Sequence, residues 1–294
     1  MNRKIKPELS LLGAMLVFGS VGIFVKHINL PSTAIVLWRT IIGSVFLGLV
    51  FLLTGRPINT EGIKANLLIL IAAGIALGSN WALLFEAFHL TTVSIAILLH
   101  YTAPAIVFML SPLLFKERIT TGKVVGIVAA IAGMVIINAF DMGSAGLSTG
   151  VLCALASALL YATLMILNKQ LSDLSGLEST FVQLVIAMIV MAIYTGISTG
   201  QILHLPRGNE ILLVATVGVL HTGIACYVYF SCMQQLPGQT VAIMSYLDPA
   251  STLVFSAVLL QERLTLLQII GACLILGGTA YSQLAKHEPV PDSP

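Results

Sequence analysis

The amino-acid sequence predicts an all-α integral membrane protein with ten transmembrane helices, arranged as a five-plus-five inverted-topology repeat. Three observations predict it. The 294 residues are 57% hydrophobic and 9% charged, with a mean hydropathy of +1.01, which leaves too little polar surface to cover a water-soluble globule. Apolar segments of about 20 residues, the length that crosses a bilayer core as a helix, recur along the whole chain between short polar breaks. One stretch also occurs twice: residues 101–133 return as 246–278 at a constant offset of 145 residues, without a gap and with ten of 33 positions identical. The identities include Tyr101/Tyr246, Pro104/Pro249, Glu117/Glu262, Arg118/Arg263, Gly126/Gly271 and Gly133/Gly278. Apolar bias alone does not match residues of these types, so the chain is a duplication.

Taken in order, the spans fall at about 9–26, 34–53, 66–86, 91–115, 122–139, 147–168, 178–197, 211–234, 238–260 and 265–284. The breaks carry turn chemistry or charge: 29–32 and 55–57 each hold a proline, 141–144 holds Asp141 and Gly143, and 205–208 and 236–238 pair proline with glycine. Residues 1–140 are the first repeat and 141–286 the second, with 287–294 a disordered tail. The basic N-terminus runs directly into span 1 without a small-residue cleavage site, so that span is retained. Five is odd, so the second repeat crosses in the opposite sense, inverted about an axis in the membrane plane. With the N-terminus inside, ten of the Lys and Arg residues lie on the cytoplasmic side (Arg3, Lys4, Lys6, Arg56, Lys64, Lys116, Arg118, Lys123, Lys169, Lys286) against four outside (Lys26, Arg39, Arg207, Arg263). The expected placement is a cell (inner) membrane with both termini cytoplasmic.

Several function classes are excluded. A net charge of +2 with basic residues scattered at span ends is not a nucleic-acid surface. Cys153, Cys226, Cys232 and Cys273 lie within apolar segments without metal or disulfide spacing, no H-x-x-x-H occurs, and no GxxxxGK[ST] occurs. No metal, no cofactor and no ATP-driven step is expected, which leaves a proton or substrate gradient as the driving force. An integral-membrane enzyme built on His100, His221 and Asp248 is disfavoured, because the loops are too short and uncharged to hold a headgroup or nucleotide.

The residues that could carry chemistry sit at mid-depth. Asp248 immediately precedes Pro249, about 15 Å into span 9. A carboxylate there costs several kcal/mol (~3 on insertion scales) unless paired, protonated or wetted. It either faces a cavity and couples protons or cargo, or bonds a neighbouring helix. Its counterpart in the first copy is Ala103. His100 and His221 lie at similar depth and are candidates for proton coupling, or for bonding a neighbouring carbonyl. Tyr101, Tyr246, Asn80, Trp81, Tyr161, Tyr227 and Ser20 are candidates for the wall of a substrate cavity or for helix packing. Gly22, in the same run of span 1 as Ser20, is a candidate for close helix approach. Pro104 and Pro249 remove helix hydrogen bonds at mid-membrane and are candidate hinges. Arg39 and Glu86 are expected to form an ion pair near the outer surface, as structure or as a gate, and Glu117 and Glu262 to anchor span ends at opposite faces.

These features, namely the two copies of a proline-centred helix closing in Glu, the five-plus-five arrangement and Arg39 within LWRTIIG of span 2, resemble the drug/metabolite transporter superfamily, specifically its ten-helix EamA-type branch. The resemblance implies a central cavity lined by spans 1, 3, 4, 6, 8 and 9, alternating access, and export of small metabolites, often amino acids. A recurrent arginine in span 2 of that family implies a scaffold role for Arg39. The expected function is therefore a secondary transporter that exports an amino acid or similar compound, with multidrug or quaternary-amine efflux as the alternative. The expected partners are the lipid bilayer, a small-molecule substrate and protons, in a monomer or homodimer.

Overall fold

The computed structural model describes residues 6–55, 57–91, 93–137, 149–200, 204–259, 261 and 264–285. The described residues fold into helices: α1 (Pro7–Val25), α2 (Ser32–Thr54), α3 (Thr60–Ala65), α4 (Leu67–Leu90), α5 (Val93–His100), α6 (Thr102–Phe115), α7 (Thr121–Ile137), α8 (Thr149–Gln170), α9 (Gly176–Thr199), α10 (Glu210–Thr216), a π-helical segment (Val217–Ile224), α11 (Ala225–Gln235), α12 (Gly238–Ser245), α13 (Leu247–Leu259) and α14 (Leu266–Leu284). Nine stretches among the described residues are long and apolar enough to cross a membrane. The tenth, α7, is a 17-residue apolar helix spanning about 26 Å. Three spans are composite: α5 with α6, α10 through α11, and α12 with α13. Large apolar side chains face outward, among them Leu53 at 85% exposure and Leu68 at 82%. Exposure of that extent is compatible with lipid rather than water. The distribution of polarity is therefore inverted relative to a soluble protein, with polar side chains such as Asn80, Ser157, His221 and Gln183 buried inside.

The duplication is visible in the packing. Adding a Cβ at Gly122, Gly126, Gly133 or Gly271 would bring it against Ala285, Ser282, the Gly271 carbonyl or the Gly133 carbonyl, respectively. As the α7 number rises its α14 partner falls, so these two repeat-equivalent helices pack antiparallel. The same holds for α2 and α9, where Gly43 meets Leu184 and Gly48 meets Phe181. Contacts between unlike helices come in exchanged pairs: α4 on α8 matches α11 on α1, and α13 on α1 matches α6 on α8. Each repeat ends its proline-bearing span in the same backbone turn, with Lys116 and Gln261 both left-handed at φ 55°. The hydroxyls of Thr120 and Thr265 then accept from Lys123 N and Gln268 N as the next helix starts. This is an inverted repeat about a pseudo-twofold axis.

Several close approaches depend on glycine, and two of them bear on the repeat and the site. A Cβ on Gly133 would stand 2.5 Å from the Gly271 carbonyl oxygen, and one on Gly19 would stand 2.9 Å from the Asp248 carbonyl oxygen. Both obstacles are backbone and neither can rotate away. Gly133→Ala is expected to force α7 and α14 apart and cost about 1–3 kcal/mol, read as a lower thermal midpoint in detergent. An unchanged midpoint would show that the helices part without cost. Gly22, expected to permit close approach, has nothing within 4 Å of where a Cβ would stand; one turn earlier, Gly19 makes that approach to α13.

Pro104 and Pro249 interrupt their spans, but three residues before the proline itself. A proline at position i has no N–H for the carbonyl at i−4 and its ring displaces that carbonyl. The carbonyls affected are those of His100 and Ser245. The helix accordingly stops at His100 and restarts at Thr102, with Tyr101 between at φ −75°, ψ 8°, and stops at Ser245 and restarts at Leu247, with Tyr246 at φ −70°, ψ −10°. The two breaks place two tyrosines, repeat equivalents of each other, at the centre of the molecule.

Candidate functional site

The tyrosines meet across the pseudo-twofold axis, with ring centroids 6.1 Å apart. The Tyr246 hydroxyl donates to the main-chain carbonyl of Tyr101 at 2.8 Å, and the Tyr101 hydroxyl donates to Oδ2 of Asp248 at 2.6 Å. Asp248 is half-buried, and Oδ2 is the oxygen of its carboxylate that a described residue engages. Its main-chain carbonyl is occupied by the hydroxyls of Ser251 and Thr252. The carboxylate is thus held by one neutral donor and by no ion pair among the described residues.

From Tyr101 the polar residues continue in two directions. His100 stacks on Tyr161, with centroids 5.0 Å apart and planes within 6°. The Ser157 hydroxyl gives its hydrogen to Asn80 Oδ1 at 2.8 Å, so the 2.9 Å contact between Ser157 Oγ and His100 Nδ1 assigns the imidazole proton to Nδ1. The Tyr161 hydroxyl meets the Tyr229 hydroxyl at 2.7 Å, and Tyr229 meets Ser245 Oγ at 3.0 Å. The Tyr229 ring also takes the edge of Phe18 at 5.7 Å.

The second group lies nearer the face opposite the chain's N-terminus. Arg39 donates from Nε to Thr222 Oγ1 at 2.8 Å, and its guanidinium lies 4.8 Å from the centre of the Trp81 ring, a cation–π contact. Ser20 spends its hydrogen on the Val17 carbonyl, so the 3.0 Å contact with His221 is donated by Nε2 of the imidazole. His221 is fully buried and packs on the edge of Phe24. No hydrogen bond or ion pair joins Arg39 to Asp248 or to His221. Removing the Thr222 hydroxyl while keeping its shape leaves a partly buried guanidinium one acceptor short. Thr222→Val is therefore expected to cost about 1.5–3 kcal/mol, seen as a thermal midpoint lowered by several degrees; a midpoint within about one degree of wild type would rule out this role for the bond.

The expected Arg39–Glu86 ion pair is not formed. Arg39 turns inward onto Trp81 and Thr222, while Glu86 Oε2 accepts from the Tyr194 hydroxyl at 2.9 Å. Cation–π contact and a hydroxyl acceptor satisfy the guanidinium without crossing to α4's far end. Tyr227 makes packing contacts with the main apolar core, and it is Tyr229, two residues on, that enters the polar chain. The π-helical segment precedes both tyrosines. It contains an extra residue per turn, visible in the Thr222 hydroxyl bonding the Val217 carbonyl five residues back, which rotates everything after it by about 100° relative to a regular helix. Sequence reasoning also passes over Ser157, Thr222 and Ser245, because small hydroxyl residues in an apolar span carry no signal by themselves.

Glu117 is placed at the face that carries the chain's N-terminus. Its carboxylate accepts from the first amides of α12, Gly238 N at 2.5 Å and Gln239 N at 3.0 Å, where the helix dipole favours negative charge. Lys169 Nζ donates to the adjacent Leu236 carbonyl, and the Phe115 ring packs on Gly238. Together these residues tie α6 and α8 to the start of α12. Glu262, expected to anchor the other face, lies outside the described residues. Among the described residues no group of three His, Cys, Asp or Glu side chains could hold a metal.

The arrangement places Ser20, Arg39, Asn80, Trp81, His100, Tyr101, Tyr161, His221, Tyr246 and Asp248 in these two groups inside the bundle, contributed by α1, α2, α4, α5, α8, the π-helical segment, α12 and α13. Chemically it offers one carboxylate, one guanidinium, two imidazoles and aromatic walls. The helix order and the repeat agree with what comparison with known proteins finds. A transporter of Bacillus subtilis, named "Uncharacterized transporter YxxF", is 32% identical over 290 residues, covering 97% of this chain and 92% of its own. The threonine/homoserine exporter RhtA of Salmonella typhimurium is 25% identical over 237 residues, covering 80% of this chain and 77% of its own. A solved crystal structure superposes with a TM-score of 0.85 at 19% identity, over 96% of this chain and 99% of that one. The sequence profile of the EamA-like transporter family matches twice, at residues 5–139 and 148–282. The chain belongs to the EamA-like transporter family.

Proposed function

We propose that the protein exports a small zwitterionic metabolite of the amino-acid class by alternating access through the central cluster. One observation carries the reading: Asp248 is held by the Tyr101 hydroxyl and Arg39 by the Thr222 hydroxyl and the Trp81 ring, and neither is held by the other. Two opposite charges kept apart in a low-dielectric interior are costly. A solute carrying an ammonium and a carboxylate offsets both costs, with Asp248 taking the ammonium and Arg39 the carboxylate. The similarity to a threonine/homoserine exporter supports the same class. Arg39 also argues against quaternary-amine efflux, since a bare cation gains at Asp248 and loses at Arg39.

In this reading Asp248 exchanges a proton for the cargo ammonium, with His100 and His221 as further proton carriers. The excess of Lys and Arg on one side supports a topology with both termini in the cytoplasm, in a cell membrane. The apolar outer surface sits in lipid, around a monomer or a homodimer. A thermal-shift screen of the purified protein against amino acids, simple amines and quaternary ammonium compounds tests the class. Stabilisation by amino acids and not by their decarboxylated amines is expected. Stabilisation by quaternary amines alone would replace this reading with cation efflux.

A further inference from the structure

The hydrogen bond from the Tyr246 hydroxyl to the Tyr101 carbonyl joins residues 145 apart, which is the offset of the repeat itself. It therefore joins two repeat equivalents. Applying the pseudo-twofold operation turns it into a different bond, from the Tyr101 hydroxyl to the Tyr246 carbonyl. That bond and the one now seen from Tyr101 to Asp248 cannot exist together, because a hydroxyl has one hydrogen. In an inverted-repeat carrier the second state arises when the two repeats exchange their conformations about a fixed centre. The centre here is the meeting point of the two helix breaks.

We propose that Tyr101 and Tyr246 are positioning residues for transport that trade roles between the two states. In the state described, Tyr246 holds the Tyr101 carbonyl and Tyr101 caps Asp248. In the opposite-facing state, Tyr101 turns to the Tyr246 carbonyl and the Asp248 carboxylate is released to the cargo. The duplication is imperfect at the decisive place. Ala103 stands where symmetry would put a second acid, so the Tyr246 hydroxyl has no carboxylate to cap when it gives up its carbonyl. The described state therefore holds two of these bonds and the other state one. The asymmetry between Ala103 and Asp248 biases the resting conformation and confines cargo binding to the state in which Asp248 is uncapped. This inference rests on alternating access but not on the identity of the cargo.

The bond count gives opposite expectations for two variants that are equally conservative. Tyr246→Phe removes a bond from the described state alone and shifts the population toward the other state by about 2- to 10-fold. Tyr101→Phe removes one bond from each state and leaves the ratio within about twofold of wild type. Asp248→Ala, which also removes a bond from the described state alone, serves as a second variant and shifts the ratio in the same direction as Tyr246→Phe. Populations are read without cargo, in nanodiscs, from the distance between spin labels carried on an unnatural amino acid at the exposed positions Lys116 and Gln235, which flank the contact of Glu117 with the start of α12. Two distance populations are expected, with the ratio moved by Tyr246→Phe and by Asp248→Ala but not by Tyr101→Phe. Equal shifts from both tyrosine variants, or one unchanged distance in every protein, overturn the proposal. Because the measurement uses no cargo, a wrong substrate class leaves its outcome unaffected.

Discussion

Replacing Asp248 by asparagine is expected to reduce transport of an amino-acid solute by about 10- to 100-fold while leaving the protein folded. The amide keeps an oxygen that can accept from the Tyr101 hydroxyl, now 2.6 Å from Oδ2, so the cap and the packing of α13 survive. What is lost is the charge. A hydrogen bond from an ammonium to a carboxylate in a low-dielectric site is about twice as strong as one to a neutral amide. The variant also cannot exchange a proton for its cargo, so whatever transport remains should no longer change with pH. Initial rates at several pH values, in proteoliposomes matched for protein content, measure both effects. Wild-type rates with wild-type pH dependence would remove Asp248 from the mechanism.

Arg39 is expected to matter as much, with the opposite signature. Arg39→Met keeps much of the length of the side chain and its contact with Trp81, but removes the only positive charge the central cluster contains among the described residues. Transport of the amino acid should fall by about 10- to 100-fold, whereas transport of the corresponding decarboxylated amine should rise relative to it, because the amine no longer meets a like charge. Arg39→Lys restores charge without the planar stacking on Trp81 or the Nε bond to Thr222 and should fall between the two. The ratio of amine to amino-acid transport distinguishes a substrate role from scaffolding. A scaffold residue lowers both rates together.

Much of this architecture is legible in the sequence because membrane insertion and duplication leave coarse, long-range signals. Ten apolar segments and a 33-residue repeat are enough to give the helices, their order and the inversion. Asp248 stands out because a carboxylate in the middle of an apolar span has few innocent explanations. Its partners do not stand out. Depth alone pairs Arg39 with Glu86, but depth does not specify which way a long side chain turns, and the structure sends it to Trp81 and Thr222. Mid-depth position in its span singles out Tyr227, where the fold uses Tyr229, two residues on. The break at Tyr101 and Tyr246 lies where the proline's effect is felt, a turn before the proline. The contact between those two tyrosines needs the three-dimensional axis, which no local pattern encodes.

If the cluster around Asp248 and Arg39 carries an amine-carboxylate solute across the membrane unchanged, counterflow shows it without separate assays of binding and movement. Proteoliposomes are preloaded with an unlabelled amino acid, the labelled compound is supplied outside, and its mass is read after recovery. Transient accumulation of the labelled amino acid at its original mass, slowed by about 10- to 100-fold in both Asp248→Asn and Arg39→Met, is the outcome expected of this mechanism. Recovery of a product of altered mass, or accumulation at the wild-type rate in both variants, is incompatible with it.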